Sequence, residues 1–110
     1  MNFIDTHAHL YSDKFKDDRS QVVENAINNG VTKILLPNIS SQYTDSMIEL
    51  CEAYPKNCFP MIGLHPCDVN QETIKKELIH LEKMIQKEKF IAVGEIGIDL
   101  YWDKSTLDLQ

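Results

Sequence analysis

Apolar residues fall along the chain in short runs separated by longer amphipathic stretches. The runs are Asn2–Asp5, Lys33–Leu36, Phe59–Gly63 and Phe90–Gly94. Each has apolar neighbours rather than strict alternation, which predicts parallel strands buried on both faces. Three helical patterns lie between them. Asp17–Asn29 gathers Val22, Val23, Ala26 and Ile27 on one side and meets Gly30 as a stop. A second pattern starts near Ser41, places Met47, Leu50, Cys51 and Tyr54 at i, i+3, i+4 and i+7, and is closed by Pro55. A third follows Asn70, a good N-cap, with Ile74, Leu78, Leu81 and Ile85 as its stripe. Lys87 and Lys89 stand at its C-terminal end, where cations are favoured. The polar tail Asp103–Gln110, with Leu107 and Leu109, reads as the start of a fourth helix.

The predicted order is βαβαβαβ, an α/β chain with right-handed crossovers and a parallel sheet. Two architectures share that order: an open doubly wound sheet and part of a (β/α)8 barrel. A nucleotide-binding open sheet usually carries a glycine-rich first turn. Here that turn reads Asp5-Thr6-His7-Ala8-His9, and Gly94-Glu95-Ile96-Gly97 is not a dinucleotide or phosphate-loop fingerprint. A barrel takes about 250 residues. This chain has 110, enough for half the strands.

That length allows one domain at most. Hydrophobic residues at 43% and charged residues at 25% match an ordinary globular domain and argue against disorder. No apolar run approaches the roughly 20 residues that span a bilayer, and Asp5, His7 and His9 interrupt any N-terminal signal pattern. The expected location is the cytoplasm. A formal net charge of −6 repels phosphate backbones at long range and opposes binding through basic patches alone. Bound cations would reverse the local field. Cys51, Cys58 and Cys67 are odd in number and form no C-x-x-C pair, so they read as buried or half-buried free thiols.

In a parallel sheet the residues just past the strand C-termini share one rim, where ligands bind in both architectures. Those positions hold Asp5, His7, His9, Asn38, His65, Glu95 and Asp99. His7 and His9 at i and i+2 lie on one face of an extended segment, a spacing that suits a divalent metal. Glu95 adds a carboxylate, either as a ligand in a mixed N/O site or as a supporting group. His65, biased to an extended backbone by Pro66, is either an anion or proton-transfer contact or a hydrogen-bonded loop histidine. Tyr101 and Trp102 either stack on a base or close the core. Asp5 either orients a ligand histidine or satisfies backbone donors. His80, inside the third helix, reads as packed or solvent-facing. No nucleophile elbow is present, so triad catalysis lacks support.

Three segments carry a resemblance. Phe3-Ile4-Asp5-Thr6-His7-Ala8-His9-Leu10, Gly63-Leu64-His65-Pro66 and Gly94-Glu95-Ile96-Gly97-Ile98-Asp99 followed by Tyr101 resemble, in order and spacing, the signatures of the TatD family of metal-dependent deoxyribonucleases. The resemblance runs the whole length of the chain. It implies a TIM-type barrel of the metal-dependent hydrolase kind and phosphodiester hydrolysis on DNA. It also implies two divalent cations (Mg, Mn or Zn), with His7 and His9 ligating one metal and Glu95 bridging both. His65 would sit at the substrate phosphate, and Tyr101 would contact substrate. Some members are linked instead to removing D-amino acids from tRNA. Urease-type amidohydrolases usually place a carbamylated lysine where Glu95 stands. An H-x-H-x-H phosphoesterase would need histidine at Tyr11. Tyr11 also departs from the family's usual Asp or Asn, a departure read as minor for metal binding.

The family's remaining ligands, two histidines and an aspartate, belong to the second half of the barrel. Residues 1–110 are therefore expected to form a single incomplete hydrolase domain, the N-terminal half-barrel, as a fragment with three of six ligands. Its alternative is a catalytically inactive remnant that acts by interaction. Open edges on the first and fourth strands are expected to drive self-association.

Overall fold

The computed structural model describes residues 1–110 throughout. Strands β1 (Phe3–Asp5), β2 (Val31–Leu36), β3 (Cys58–Ile62) and β4 (Ala92–Val93) alternate with helices α1 (Arg19–Asn28), α2 (Ser41–Ala53) and α3 (Ile74–Lys87). Single 3-10 turns occupy Asp13–Phe15 and Pro66–Asp68. All strand pairs are parallel and the spatial order is β1-β2-β3-β4. A doubly wound sheet reverses its strand order at a switch point. Here the order follows the chain without reversal, which is the arrangement of the N-terminal half of a (β/α)8 barrel.

The core lies between β2 and the two helices that cross it. Ile34, Leu36 and Cys58 from the sheet meet Val23 of α1 and Met47, Leu50 and Cys51 of α2, with Tyr11 buried at the top. Gly30 follows α1 with φ +91°, and a Cβ there would sit 2.8 Å from the Met1 carbonyl oxygen. Glycine therefore both reverses the chain and admits the N-terminal segment beside it.

Four expectations need correction. The first is burial of every strand on both faces. β2 and β3 have buried positions, but all of β1 and β4 is exposed. These are the edge strands, and Ile4 and Val93 are 57% and 62% exposed because each strand has a neighbour on one side only.

The second concerns α3. Ile74 and Leu81 are half-buried, but Leu78 and Ile85 face solvent, and the buried side is Glu77 and Met84. Polar anchors set this rotation. The Glu77 carboxylate accepts from Ser41 N at 2.9 Å and from Ser41 Oγ at 2.6 Å, capping α2 from another helix. A carboxylate at a helix N-terminus satisfies orphan donors and is favoured by the dipole. His80 packs beside it, 2.8 Å from Thr44 Oγ1. Asn70 also lies outside α3, whose N-cap is Thr73. The Asn70 side chain instead accepts from Glu72 N and Thr73 N in the preceding turn.

The third is the tail. Residues 103–110 form turns instead of a helix, and Gln110 folds back so that its carboxamide accepts from Asp99 N and donates to the Asp99 carbonyl. The fourth is Cys67, which is exposed, whereas Cys51 and Cys58 are buried as expected. No helix is long and apolar enough to cross a membrane.

Candidate metal centre

The rim is assembled from three strand ends. After β1 the chain bends at Thr6, and the next segment brings the Nε2 atoms of His7 and His9 within 3.1 Å of each other. After β4, Glu95 reaches the same point. Its Oε2 lies 3.2 Å from His7 Nε2 and 3.3 Å from His9 Nε2. After β3, His65 brings Nε2 to 3.1 Å from Glu95 Oε1. Glu95 Oε2 is buried and has no hydrogen-bond partner. A buried carboxylate oxygen left this way is costly unless a cation or donor meets it.

Backbone contacts fix Glu95 in place. Asn38 N donates to the Gly94 carbonyl at 3.0 Å, and Glu95 N donates to the Asn38 carbonyl at 3.0 Å. The Asn38 side chain is wholly buried, donating to Thr44 Oγ1 at 2.9 Å and accepting from Ile39 N at 2.9 Å. Gly63 lets the two segments touch: a Cβ on it would lie 2.6 Å from both Glu95 O and Gly94 C. No side chain larger than hydrogen fits there.

His9 is braced from behind. Its Nδ1 lies 2.8 Å from the Tyr11 hydroxyl, which donates to the Pro37 carbonyl. Arg19 holds this loop by donating to the carbonyls of Leu10, Tyr11 and Ser12. Burial lowers the His9 pKa below its ordinary value against the opposing pull of Glu95, which favours the neutral imidazole a metal needs. Burial likewise pushes the Tyr11 phenol up, keeping it protonated.

The chemistry of this donor set suits a cation. Ligand atoms bound at about 2.0–2.2 Å around one divalent ion lie roughly 3.0–3.5 Å apart. The three distances among His7 Nε2, His9 Nε2 and Glu95 Oε2 fall in that interval. His65 faces the other carboxylate oxygen, and its Nδ1 accepts from Cys67 N at 3.0 Å, so it adjoins the triad from the side.

The other rim residues stand apart. The Asp5 carboxylate accepts from His7 N at 3.0 Å and so orders the backbone, leaving the ring alone. Asp99 accepts from Tyr101 N at 2.9 Å and faces Cys67 Sγ. Tyr101 and Trp102 are exposed and meet edge to face, with ring centroids 4.7 Å apart, so neither closes the core. The sequence presents Tyr11 only as a minor departure from the signature and gives Asn38 a rim position without a task. The i, i+2 spacing of His9 and Tyr11 was a usable signal for the first. Nothing local signals the second.

A model of the family described as TatD related DNase matches residues 4–110. A metal-dependent hydrolase of Bacillus subtilis, YabD, is 33% identical over 106 residues, covering 96% of this chain and 41% of the relative. The 3'-5' ssDNA/RNA exonuclease TatD of Pectobacterium carotovorum is 32% identical over 108 residues, covering 96% of this chain and 40% of its own length. Among solved structures, YJJV, a TatD homologue from Escherichia coli K12, superposes with a TM-score of 0.76 at 30% identity, over 97% of this chain and 41% of that one. The chain thus spans about two-fifths of the length of the relatives it matches. A half-barrel sheet, a His-x-His and glutamate rim and a family match over nearly every residue lead to one conclusion: this chain belongs to the TatD related DNase family.

Proposed function

We propose that this chain carries half of the active site of a metal-dependent phosphodiesterase. His7, His9 and Glu95 would hold a divalent cation, and Glu95 would bridge to a second. The observation that carries the reading is the convergence of two imidazole nitrogens on a buried, unpaired carboxylate oxygen. The chemistry such cations supply is activation of water near neutral pH and neutralisation of charge on a phosphoryl group. Of Mg2+, Mn2+ and Zn2+, the two imidazoles favour Zn2+, and the carboxylate suits Mn2+ and Mg2+ as well.

The chain's own residues do the rest. His65 would pass its Nε2 hydrogen bond from Glu95 Oε1 to a substrate phosphate oxygen and move a proton at that atom. Tyr101 and Trp102 offer an exposed aromatic pair on which a base can stack. The acidic balance of the chain repels a polyanion, so attraction of the substrate falls to the metal site. Single-stranded DNA is the proposed substrate, in line with the activity named for the Pectobacterium relative.

The test is cleavage of single- and double-stranded DNA and of RNA with each metal, beside a His7→Ala/His9→Ala control. Because these residues are half of the site, the expected result is slow metal-dependent cleavage of single strands, far below the rate of an intact nuclease, that the double variant lacks. Well-folded wild-type chain that cleaves nothing would overturn the assignment of activity to these 110 residues.

A second reading rests on a different observation. Ile91, Val93, Ile96 and Ile98 are all more than half exposed along and just past the β4 edge. Such a surface favours association of two copies through their edge strands, with or without catalysis. Sedimentation velocity decides it: dimers support association, and a monodisperse monomer at high concentration opposes it.

A further inference from the structure

We propose that Tyr11 is a positioning residue that holds His9 in the Nδ1–H tautomer, so that the His9 Nε2 lone pair faces Glu95 Oε2. A tyrosine hydroxyl has one proton to give and lone pairs to receive. The Tyr11 oxygen makes a short contact with the Pro37 carbonyl oxygen, which has no proton of its own. The hydroxyl proton must lie between those two oxygens. His9 Nδ1, 2.8 Å from the same hydroxyl, can then only be a donor. A neutral imidazole with its proton on Nδ1 has a bare Nε2.

The consequence at the rim is specific. His9 Nε2 and Glu95 Oε2 face one another 3.3 Å apart, each presenting a lone pair. Nothing between them carries a proton from the His9 side. Two such atoms are held together only by a shared cation or by a donor from His7. Tyr11 therefore shapes His9 as a ligand in advance.

His65 shows the opposite arrangement a few ångströms away. Cys67 N donates to its Nδ1 at 3.0 Å, which puts the proton of a neutral His65 on Nε2, 3.1 Å from Glu95 Oε1. Thus Oε1 faces a donor from His65 while Oε2 faces a lone pair from His9, and Oε2 is the buried side-chain oxygen without a hydrogen-bond partner. The two histidines divide the carboxylate between them, one as donor and one as lone-pair partner. The brace on His9 is firm because Tyr11 is wholly buried and its own carbonyl is pinned by Arg19 and by Ser46 Oγ. Expectations from sequence gave this tyrosine little weight. The structure gives it the task usually done by a carboxylate or carbonyl behind a metal-binding histidine.

The purpose of this arrangement rests on the cation reading above, but its test does not. Long-range 1H–15N correlation spectra of the metal-free, 15N-histidine-labelled chain at pH 8 report which ring nitrogen is protonated. His9 is assigned by its loss in His9→Ala. The expected spectrum has a protonated Nδ1 and a bare Nε2 for His9, and the reverse for His65. Tyr11→Phe keeps the ring and removes the hydroxyl. It is expected to shift His9 towards the Nε2–H form and to weaken Zn2+ binding in calorimetry about tenfold. An Nε2–H His9 in the wild-type chain overturns the proposal, whether or not Tyr11→Phe folds. So does a Tyr11→Phe variant with unchanged tautomer and unchanged Zn2+ affinity. A wild-type chain with the expected tautomers that binds no Zn2+ supports the assignment of Tyr11 and overturns the cation reading alone.

Discussion

His65 Nε2 and Glu95 Oε1 lie 3.1 Å apart, although the two residues come from loops after different strands. The contact sets His65 beside the proposed cation site as a donor, with its other ring nitrogen already engaged by Cys67 N. His65→Ala should therefore separate binding from chemistry. Cleavage should fall about 100-fold, the typical cost of losing one well-placed donor. Metal affinity measured by calorimetry should change far less. A variant that loses metal affinity and activity together would make His65 a ligand instead.

Gly63 controls how closely the β3 and β4 loops approach. A methyl group there meets Glu95 and Gly94 backbone atoms at 2.6 Å, and backbone does not give way as a flexible side chain does. Gly63→Ala should cost about 2 kcal/mol in urea unfolding, within the range of steric core changes. It should also weaken metal binding, since Glu95 is displaced. Unchanged affinity and stability would show that the loops can separate freely.

Much of this was legible in the chain itself. The runs around Ile34 and Met61 mark strands because β2 and β3 are flanked on both sides. The stripe from Met47 to Tyr54 marks α2 because Met47, Leu50 and Cys51 form the buried face that packs on the sheet. His7, His9 and Glu95 could be gathered from their places after apolar runs, because parallel strands end on one rim. The rotation of α3 was hidden. It depends on Glu77 finding Ser41, 36 residues away, and no periodicity of apolar residues reports such a bond. The weight of Tyr11 was hidden for the same reason: its partner is Pro37, 26 residues on. The edge strands run shorter or more exposed than their apolar runs suggest because burial is set by neighbours, which β1 and β4 have on one side only.

Glu77 offers a direct measure of that long-range anchor. Its carboxylate receives two hydrogen bonds from Ser41 and is buried. Glu77→Ala should destabilise the chain by about 2 kcal/mol, because it leaves a helix N-terminus without its cap and opens a gap beside His80. Glu77→Gln, which keeps one acceptor, should cost less. Equal losses in urea denaturation would mean that packing matters and the hydrogen bonds do not.

The thiols differ in a way that pH reveals. Burial pushes Cys58 up to about 11 and Cys51 up to about 12 from an ordinary 9.0. The unfolded chain loses these protons first as pH rises. Their contribution to stability is thus fully present below pH 9 and is lost as pH climbs towards 11 and 12. Unfolding midpoints should fall across that window, and Cys51→Ala/Cys58→Ala should flatten the fall. Under native conditions Cys67, which is exposed, should be the first to react with a thiol reagent. The reaction should be slow, because local desolvation and the nearby Asp99 carboxylate raise its pKa. Rapid labelling of all three would contradict the buried placement of the other two.

The central claim is that His7, His9 and Glu95 hold a divalent cation, and calorimetric titration of the metal-free chain with Zn2+ and Mn2+ tests it most directly. The account predicts saturable binding that weakens at least tenfold in Glu95→Gln, with the fold of the variant intact by circular dichroism. Equal affinity in the wild-type chain and Glu95→Gln, or no binding by either, would contradict it.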